Sequence, residues 1–421
     1  MTETTSRADI VVIGAGHAGG EVASRIRQGG FAGSIALIGE EPYLPYHRPP
    51  LSKAFLAGQT SVEQLLIRSK GSYEKAKIDW YPSTVVERID REAHRLRLAS
   101  GDWFEYGKLV LATGGRPRRL TLPGSDLKGL HYMRGIADVD ALRLEFVPGK
   151  RLIIVGGGYI GLEVASVAIN AGLDVEVVEV ASRVLARVTG PELSAFYETT
   201  HKAAGVKLRL STVVDGFEPS AMQSDRVGAV RCGDGAMIPA DLVLVAVGLI
   251  PNVELAQAAG LAIGNGIKVD ELGRTLDPDI YAVGDCTEFP LPCMDGERLR
   301  LESVPSAIEQ ARAVASLING VPNPYDLIPW FWSDQYNLKL QSIGLHRGHD
   351  QVVIRQPTRA EGFVAFYLKE GRVIAADCVN AILEFNVAKR LVAENIHIDA
   401  NILANPETNL KTLASQVHQD G

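Results

Sequence analysis

Six glycines carry the first chemistry in the chain. Gly14, Gly16 and Gly19 stand in IVVIGAGHAGGEVA at residues 10–23, and Gly156, Gly158 and Gly161 in IIVGGGYIGLEVAS at 153–166. Each set has GxGxxG spacing, follows an apolar run and leads into small residues suited to a helix packed close to a sheet. The first glycine permits a tight turn, the second lets a pyrophosphate approach the backbone, and the third allows close helix–strand packing. The helix behind each turn would offer unpaired N–H groups and its positive dipole end to phosphates. SIALIGEE then ends near Glu40, 26 residues after Gly14, and LDVEVVE ends at Glu179, 23 residues after Gly156. Both carboxylates could accept hydrogen bonds from ribose hydroxyls. A lone GxGxxG is weak, but two complete strand–turn–helix–strand–acid units argue against ligand-free turns. One chain repeats the motif because there are two dinucleotides to hold.

The elements that must position these residues are legible around them. YGKLVLATGGRPRRL at 106–120 and ADLVLVAVGLIPNVEL at 240–255 are matching apolar strands ending in glycine turns followed by proline, each looking like a crossing between domains. DPDIYAVGDCTEFP presents a further strand ending at Gly284-Asp285, whose carboxylate could bond a cofactor's ribityl or phosphate region. With 421 residues, two or three domains are expected. The 46% hydrophobic and 22% charged residues are those of an ordinary globular protein, and a net charge of −7 speaks against nucleic acid as main partner. The polar start MTETTSRAD runs straight into a strand and leaves no room for a signal peptide. No apolar run reaches the ~18 residues of a membrane helix, so a cytoplasmic protein is expected. Cys232, Cys286, Cys293 and Cys378 are scattered without a CxxC pair, as buried or incidental thiols would be, and suggest neither a disulfide framework nor a metal site.

The order of motifs resembles the flavoproteins with two dinucleotide-binding domains, in which the first unit holds FAD and the inserted second unit holds NAD(P)H. YHRPPLSKAFLAG, LVLATGGRPRRLTLPG, ESVPSAIEQAR and PWFWSDQYNLKLQSIG sharpen this. Together they resemble the bacterial NADH-dependent ferredoxin reductases of the putidaredoxin reductase type, within the FAD-dependent pyridine nucleotide-disulfide oxidoreductases. The likeness covers essentially the whole chain, and PPLSK and WFWSDQY are its most specific parts. It implies an α/β fold of two Rossmann-like, glutathione-reductase-like domains plus an α+β C-terminal domain. The FAD-binding domain would comprise 1–114 and 249–325, the NAD-binding domain 115–248, and the C-terminal domain 326–421. In that last part, QVVIRQPT and GFVAFYLKEGRVIAADCVN read as antiparallel strands with a hairpin turn at KEGR, followed by a helix in AILEFNVAKRLVAEN.

The resemblance also implies roles residue by residue. Gly14, Gly16, Ala18 and Gly19 would line the FAD pyrophosphate and Glu40 the adenosine ribose. Arg48 and Lys53 would approach the phosphates and the isoalloxazine. Val86 would lie at the adenine end, Ala112, Thr113 and Arg134 against FAD, and Asp285 and Val304 would complete the flavin site. Gly156, Gly158, Ile160, Gly161 and Glu179 would bind NADH, with Glu163 near the nicotinamide and Trp332 beside the flavin ring. Plainer readings stand next to these. Lys53 reads either as a solvated loop lysine or as a cation that stabilises negative charge on a reduced flavin. Glu163 reads either as a catalytic residue near the nicotinamide or as an ordinary acid in a helix's first turn. Arg48 could be a surface charge, and Trp330 is read as a core aromatic. Glu179 favours NADH because a carboxylate repels a 2′-phosphate, although Arg183 and Arg187 follow and an arginine there can serve NADPH.

Disulfide reductases of this superfamily pass electrons to a CxxC pair, and the related peroxidases and oxidases use one cysteine after the first ribose-binding acid. Here that region reads EPYLPYHRPPLSK, without a cysteine, so hydride from NADH would serve an outside one-electron acceptor. By resemblance the acceptor is a small acidic 2Fe-2S ferredoxin feeding a cytochrome P-450 type monooxygenase. It would dock on a local basic patch, for which Arg312 and Lys411 are candidates, although both also read as solvated charges. Two other classes stay open: the reductase component of a Rieske ring-hydroxylating dioxygenase, and an apoptosis-inducing-factor-like binding flavoprotein, against which the acidic balance speaks. No membrane or nucleic-acid partner is expected, and the chain is expected to be a monomer or weak homodimer.

Overall fold

The computed structural model describes residues 5–294, 296–356 and 362–410. They form two compact units. One is built from the chain up to His47, Val62–Arg116 and Leu249–Pro329, the other from Arg48–Ser61, Pro117–Gly248 and the residues from Trp330 onward.

The first unit is organised by the strand Thr5–Ile13. It pairs in parallel with Ile35–Ile38, matching Ile10 to Ile35 and Ile13 to Ile38, and with Trp103–Leu111, matching Ile13 to Leu111. Ile78–Tyr81 continues the parallel order beyond Ile35–Ile38, and Ile280–Ala282 joins Trp103–Leu111 in parallel. Apolar side chains are continuous along the inner strands because both faces are covered: Ile10 to Ile13 and Ile35 to Ile38 are all buried. The helix His17–Gln28 buries Ala18, Val22, Ala23 and Ile26 in the same core as Ala307, Ala311 and Val314 of the helix Val304–Ile318. Small residues on both helices, among them Ala18, Ala23, Ala307 and Ala311, allow that packing. Val86–Asp90 and Arg95–Leu98 extend the sheet antiparallel.

The second unit repeats the parallel plan. Its strand order runs Lys207–Arg209, Asp174–Val178, Arg151–Val155, Leu242–Val245, Leu130–His131, all parallel. The helix Tyr159–Asn170 follows the second glycine turn, and Pro191–Ala203 follows the second strand. A five-stranded antiparallel sheet belongs to the same unit, in the order Trp330–Gln335, Leu338–Gly344, Arg372–Val379, Phe363–Lys369, Gln351–Arg355, followed by the helix Ile382–Ala393. The KEGR turn is a two-residue hairpin between Lys369 and Arg372, with Glu370 at φ 51° and Gly371 at φ 73°. Two successive positive φ values match the right-handed strand twist, which is why such hairpins favour glycine. The stretch Arg48–Ser61, which the sequence reading places with the FAD-binding residues, is held in this unit. Its Lys53 pairs with Glu163, and Arg143 donates to the Phe55 carbonyl.

Candidate functional site

At the end of Thr5–Ile13 the chain turns through Gly14 at φ +105°, a left-handed value that side chains resist, and an added Cβ would lie 2.2 Å from the Ala112 carbonyl oxygen. The Gly14 N–H donates to Ile38 O at 2.8 Å, and Ala112 N–H to Ile13 O at 2.7 Å. A Cβ on Gly19 would strike Gly14 O at 1.8 Å, whereas one on Gly16 would meet nothing within 4 Å. Gly16 is also the N-cap of His17–Gln28 and supplies no side-chain acceptor to the helix's first N–H groups. The turn is thus closed where helix meets strand and open where a phosphate would lie, with donors facing it. These residues fit the pyrophosphate of FAD. Glu40, at the end of Ile35–Ile38, has an exposed carboxylate to which the described residues give no partner, as an acceptor for ribose hydroxyls requires.

Strand ends complete this half. Thr113, after Trp103–Leu111, donates its hydroxyl to Asn252 O at 2.7 Å, and Asn252 Nδ2 donates back to Thr113 O at 2.9 Å. The two glycine-proline crossings seen in the sequence are thereby tied to each other. Val86 is the half-buried first residue of its strand. Asp285 is half-buried and follows Gly284, which takes φ +83° against Ala18 of the first helix. Val304 opens a helix capped by Ser303. Gln310, which sequence reasoning missed, fixes this corner: its buried Oε1 accepts from Gly284 N at 2.8 Å and Thr287 Oγ1 at 2.7 Å, and its Nε2 donates to Ser306.

The second cradle reproduces the first. Gly156 takes φ +109° with its Cβ position 2.4 Å from Ala246 O, and its N–H donates to Val178 O at 2.8 Å. A Cβ on Gly161 would lie 2.2 Å from Gly156 O, one on Gly158 would meet nothing within 4 Å, and Gly158 caps its helix without a side chain. Ile160 stays exposed beside this opening despite its apolar side chain. Glu179 accepts from Gly157 N at 2.6 Å and from Ala181 N at 2.8 Å, so its carboxylate is braced beside the glycine turn. The Arg183 guanidinium is occupied, donating to Ser194 Oγ at 2.6 Å and to the carbonyls of Gly190 and Ala186. Arg187 lies with its Nη2 3.4 Å from the Cβ position of Gly248.

Lys53 and Glu163 meet. Lys53 Nζ is 2.8 Å from Glu163 Oε2, and Ser52 Oγ donates to the same oxygen. Ser333 Oγ donates to Oε1 at 2.6 Å, and Lys53 also donates to Pro49 O at 3.1 Å. The carboxylate is 2% exposed and the ammonium 17%. Glu163 sits past the first turn of Tyr159–Asn170, which contains no acid, so it is neither a surface charge nor a dipole partner, and Lys53 is not a solvated loop lysine. Arg48 and Arg134 are joined as well, Arg48 Nη1 donating to Arg134 O at 2.6 Å. Trp332 is half-buried, with its ring centroid 5.4 Å from that of Trp330. Trp330 departs from the core aromatic expected: it is half-buried too, and Lys389 Nζ lies 5.8 Å from its ring. The alternation of Trp330–Gln335 puts both tryptophans on the face opposite buried Ser333 and Gln335.

Of the two docking candidates, Arg312 donates to Glu309 at 2.5 and 2.7 Å and to the carbonyls of Asn323 and Pro324, which weighs against a cation held ready for a partner. Lys411 lies outside the described residues. Cys232, Cys286 and Cys378 are buried and Cys293 is exposed, all as free thiols, and burial pushes the three buried thiols above their ordinary pKa. None is poised as a thiolate to take electrons.

Comparison with known proteins agrees with this geometry. Residues 8–311 match the family described as pyridine nucleotide-disulphide oxidoreductase, and residues 330–414 the reductase C-terminal family. Putidaredoxin reductase from Pseudomonas putida is 43% identical over 96% of each chain. The ferredoxin–NAD(+) reductase component of the anthranilate 1,2-dioxygenase system of Burkholderia cepacia is 38% identical over 96% of this chain and 98% of its own. The solved covalent putidaredoxin reductase–putidaredoxin complex superposes with a TM-score of 0.93 at 42% identity, covering 99% of both chains.

Proposed function

The chain belongs to the pyridine nucleotide-disulphide oxidoreductase family, and from that premise we propose that it is the FAD-dependent reductase that passes electrons from NADH to a 2Fe-2S ferredoxin serving a cytochrome P-450 type monooxygenase. One observation carries the reading: two matching cradles with open, uncapped helix N-termini stand in a chain whose thiols are unpaired and pushed toward the neutral form. Two dinucleotides can be held, and no thiol route takes the electrons onward.

FAD, when bound, supplies the conversion of an electron pair delivered as hydride into single electrons. The Gly14–Gly19 turn, Ala18 and Glu40 would hold its pyrophosphate and adenosine ribose, with Val86, Ala112, Thr113, Arg48, Arg134, Asp285 and Val304 around the remainder. The Gly156–Gly161 turn, Ile160 and Glu179 would hold NADH. Glu179 would accept from the ribose 2′-hydroxyl and repel a 2′-phosphate, and the engagement of Arg183 removes one cation that NADPH would use. Lys53, held by Glu163, would offer a bound flavin a fixed positive charge whose position is prearranged in the protein. Half-buried Trp332 would lie beside the flavin ring. We read the stretches 1–114 with 249–325, 115–248 and 326–421 as FAD-binding, NAD-binding and C-terminal domains; the end of one family match at residue 311 and the start of the other at 330 support the last boundary alone. Among the described residues no helix is long and apolar enough to cross a membrane; the cytoplasmic location and the monomer or weak homodimer are kept as part of this proposal.

A second reading, the reductase of a Rieske dioxygenase, is favoured by the 38% identity to the anthranilate dioxygenase component. One experiment separates the acceptors. The holoenzyme is mixed with NADH in a stopped-flow instrument, followed by P-450-type ferredoxin, Rieske-type ferredoxin or disulfide substrates in separate shots. Fast bleaching with re-oxidation by the first alone supports the proposal, by the second alone the alternative. Re-oxidation only by a disulfide refutes both.

A further inference from the structure

The segment SDQY, part of the most specific motif in the sequence, continues inward from Glu163. Ser333 and Gln335 lie on one face of Trp330–Gln335, both 0% exposed. Beyond the bond from Ser333 Oγ to Glu163 Oε1, Gln335 Nε2 donates to Ser333 Oγ at 3.3 Å. Gln335 Oε1 lies 2.8 Å from Nε2 of His201, itself 0% exposed near the end of Pro191–Ala203, and the Tyr336 hydroxyl lies 2.8 Å from His201 Nδ1. Burial holds the imidazole at about 4, so near neutral pH one ring nitrogen donates and the other accepts. With Nε2–H given to Gln335 Oε1, Nδ1 accepts from Tyr336, and every donor in the chain points toward Glu163. The amide of Gln335 does not carry a proton onward, so the chain is a brace and no proton path.

Two features show that the brace is built in. Tyr336 takes φ 56° in the two-residue turn between Gln335 and Leu338, where a bulky residue is an outlier; in that turn its hydroxyl meets His201. The Glu163 carboxylate receives bonds on both oxygens, from Ser333 on one and from Ser52 and Lys53 on the other. A carboxylate bonded on one oxygen only could rotate and take Lys53 with it.

We propose that Ser333, Gln335 and His201 are positioning residues for the electron-transfer reaction, fixing the Glu163 carboxylate in one orientation and through it the Lys53 ammonium. This rests on the reading that Lys53 serves the flavin. Removing the Ser333 hydroxyl leaves Oε1 without its donor, so Lys53 loses its fixed place.

The test uses holoenzyme carrying Ser333→Ala, Ser333→Thr, Gln335→Leu or Glu163→Gln, and Ser333→Ala combined with Glu163→Gln. Two quantities are read: the flavin midpoint potential by equilibrium titration, and the rate of flavin bleaching as a function of NADH concentration. Ser333→Ala and Gln335→Leu are expected to shift the equilibrium toward oxidised flavin about tenfold, ~30 mV for two electrons. They should also slow bleaching by a similar factor while the NADH concentration for half-maximal rate stays constant. Ser333→Thr restores both, and Ser333→Ala adds nothing once Glu163 is glutamine. If Glu163→Gln shifts the potential but Ser333→Ala and Gln335→Leu leave potential and rate at wild-type values, the brace is refuted and the role of the Lys53–Glu163 pair stands. If Glu163→Gln also leaves the potential unchanged, both are refuted. An undiminished effect of Ser333→Ala in the Glu163→Gln background refutes the brace as well.

Discussion

Lys53 and Glu163 lie 110 positions apart in the sequence and 2.8 Å apart in space, as an ion pair whose carboxylate is 2% exposed. Truncating one partner of such a pair leaves an uncompensated buried charge, a larger loss than replacing both. Ser52 and Ser333 soften the effect by keeping hydrogen bonds on the carboxylate. Lys53→Met should therefore cost about 2–3 kcal/mol of stability, and Lys53→Met combined with Glu163→Leu should recover part of it. Urea midpoints of wild type, both single variants (Lys53→Met and Glu163→Leu) and the double variant check this; a double variant no more stable than Lys53→Met would show that the carboxylate's burial was not the cost.

Middle and last glycines of each turn should respond to alanine in opposite ways. At Gly16 and Gly158 a methyl enters space that the protein leaves open, whereas at Gly19 and Gly161 it strikes a carbonyl oxygen at 1.8 and 2.2 Å. Gly16→Ala and Gly158→Ala should change apoprotein stability by about 1 kcal/mol or less, while Gly16→Ala weakens FAD retention and Gly158→Ala raises KM for NADH, each at least tenfold. Gly19→Ala and Gly161→Ala should destabilise the fold itself. Flavin release fluorescence, NADH saturation and thermal melts make the comparison, and an unaltered KM in Gly158→Ala would mean that no pyrophosphate crosses that glycine.

The features legible in sequence were the local ones. Gly14 and Gly156 betray their turns because a positive φ and a crowded Cβ admit little else, and the KEGR hairpin follows from the same backbone logic between two alternating runs. Glu40 and Glu179 follow from spacing along a strand–turn–helix–strand unit. Gln310, Ser333 and His201 were hidden for the opposite reason: each acts through partners 23 to 170 positions away, and a buried serine or glutamine has no local signature. The order of the C-terminal sheet was equally out of reach, since alternation marks strands but not their neighbours.

Coenzyme choice should rest on Glu179 more than on the arginines after it. Glu179→Ala removes the proposed ribose acceptor and releases the Gly157 and Ala181 amides that the carboxylate braces. The kcat/KM for NADH should fall about tenfold or more, the loss expected when a hydrogen-bonded charged group goes, with only a small absolute gain for NADPH because Arg183 is committed to Ser194, Gly190 and Ala186. Arg183→Ala should leave the NADH to NADPH ratio unchanged. Steady-state kinetics with both coenzymes checks this, and a ratio that moves in Arg183→Ala would show that its guanidinium leaves those partners for the coenzyme.

Thiol reagents offer an independent check on the exit route for electrons. Only Cys293 of the four cysteines is exposed, and burial disfavours the thiolate at the other three. One slow-reacting thiol per native chain is expected with an aromatic disulfide reagent, against four in denaturant. Alkylating it should leave NADH-to-ferredoxin electron transfer within twofold of the untreated enzyme. Loss of transfer in step with Cys293 modification would reopen a thiol step.

His201 gives the fold a defined acid sensitivity. Its imidazole is held neutral down to about 4 by burial, against roughly 6.5 in an unfolded chain. Above pH 6.5 neither state carries the proton and the group contributes no slope. Between 6.5 and 4 the unfolded chain binds a proton that the folded one refuses, so stability falls as pH falls, and below 4 both states are protonated and the slope ends. The loss should amount to about 2 kcal/mol by pH 5. His201→Gln keeps an amide that can donate toward Gln335 and accept from Tyr336 without a titrating ring. Urea unfolding of both proteins at pH 7.5, 6 and 5 should show the wild type losing that amount relative to the variant. Parallel curves would mean that His201 takes up its proton in the folded protein as readily as in the unfolded one, and that the neutral donor–acceptor chain to Glu163 does not hold.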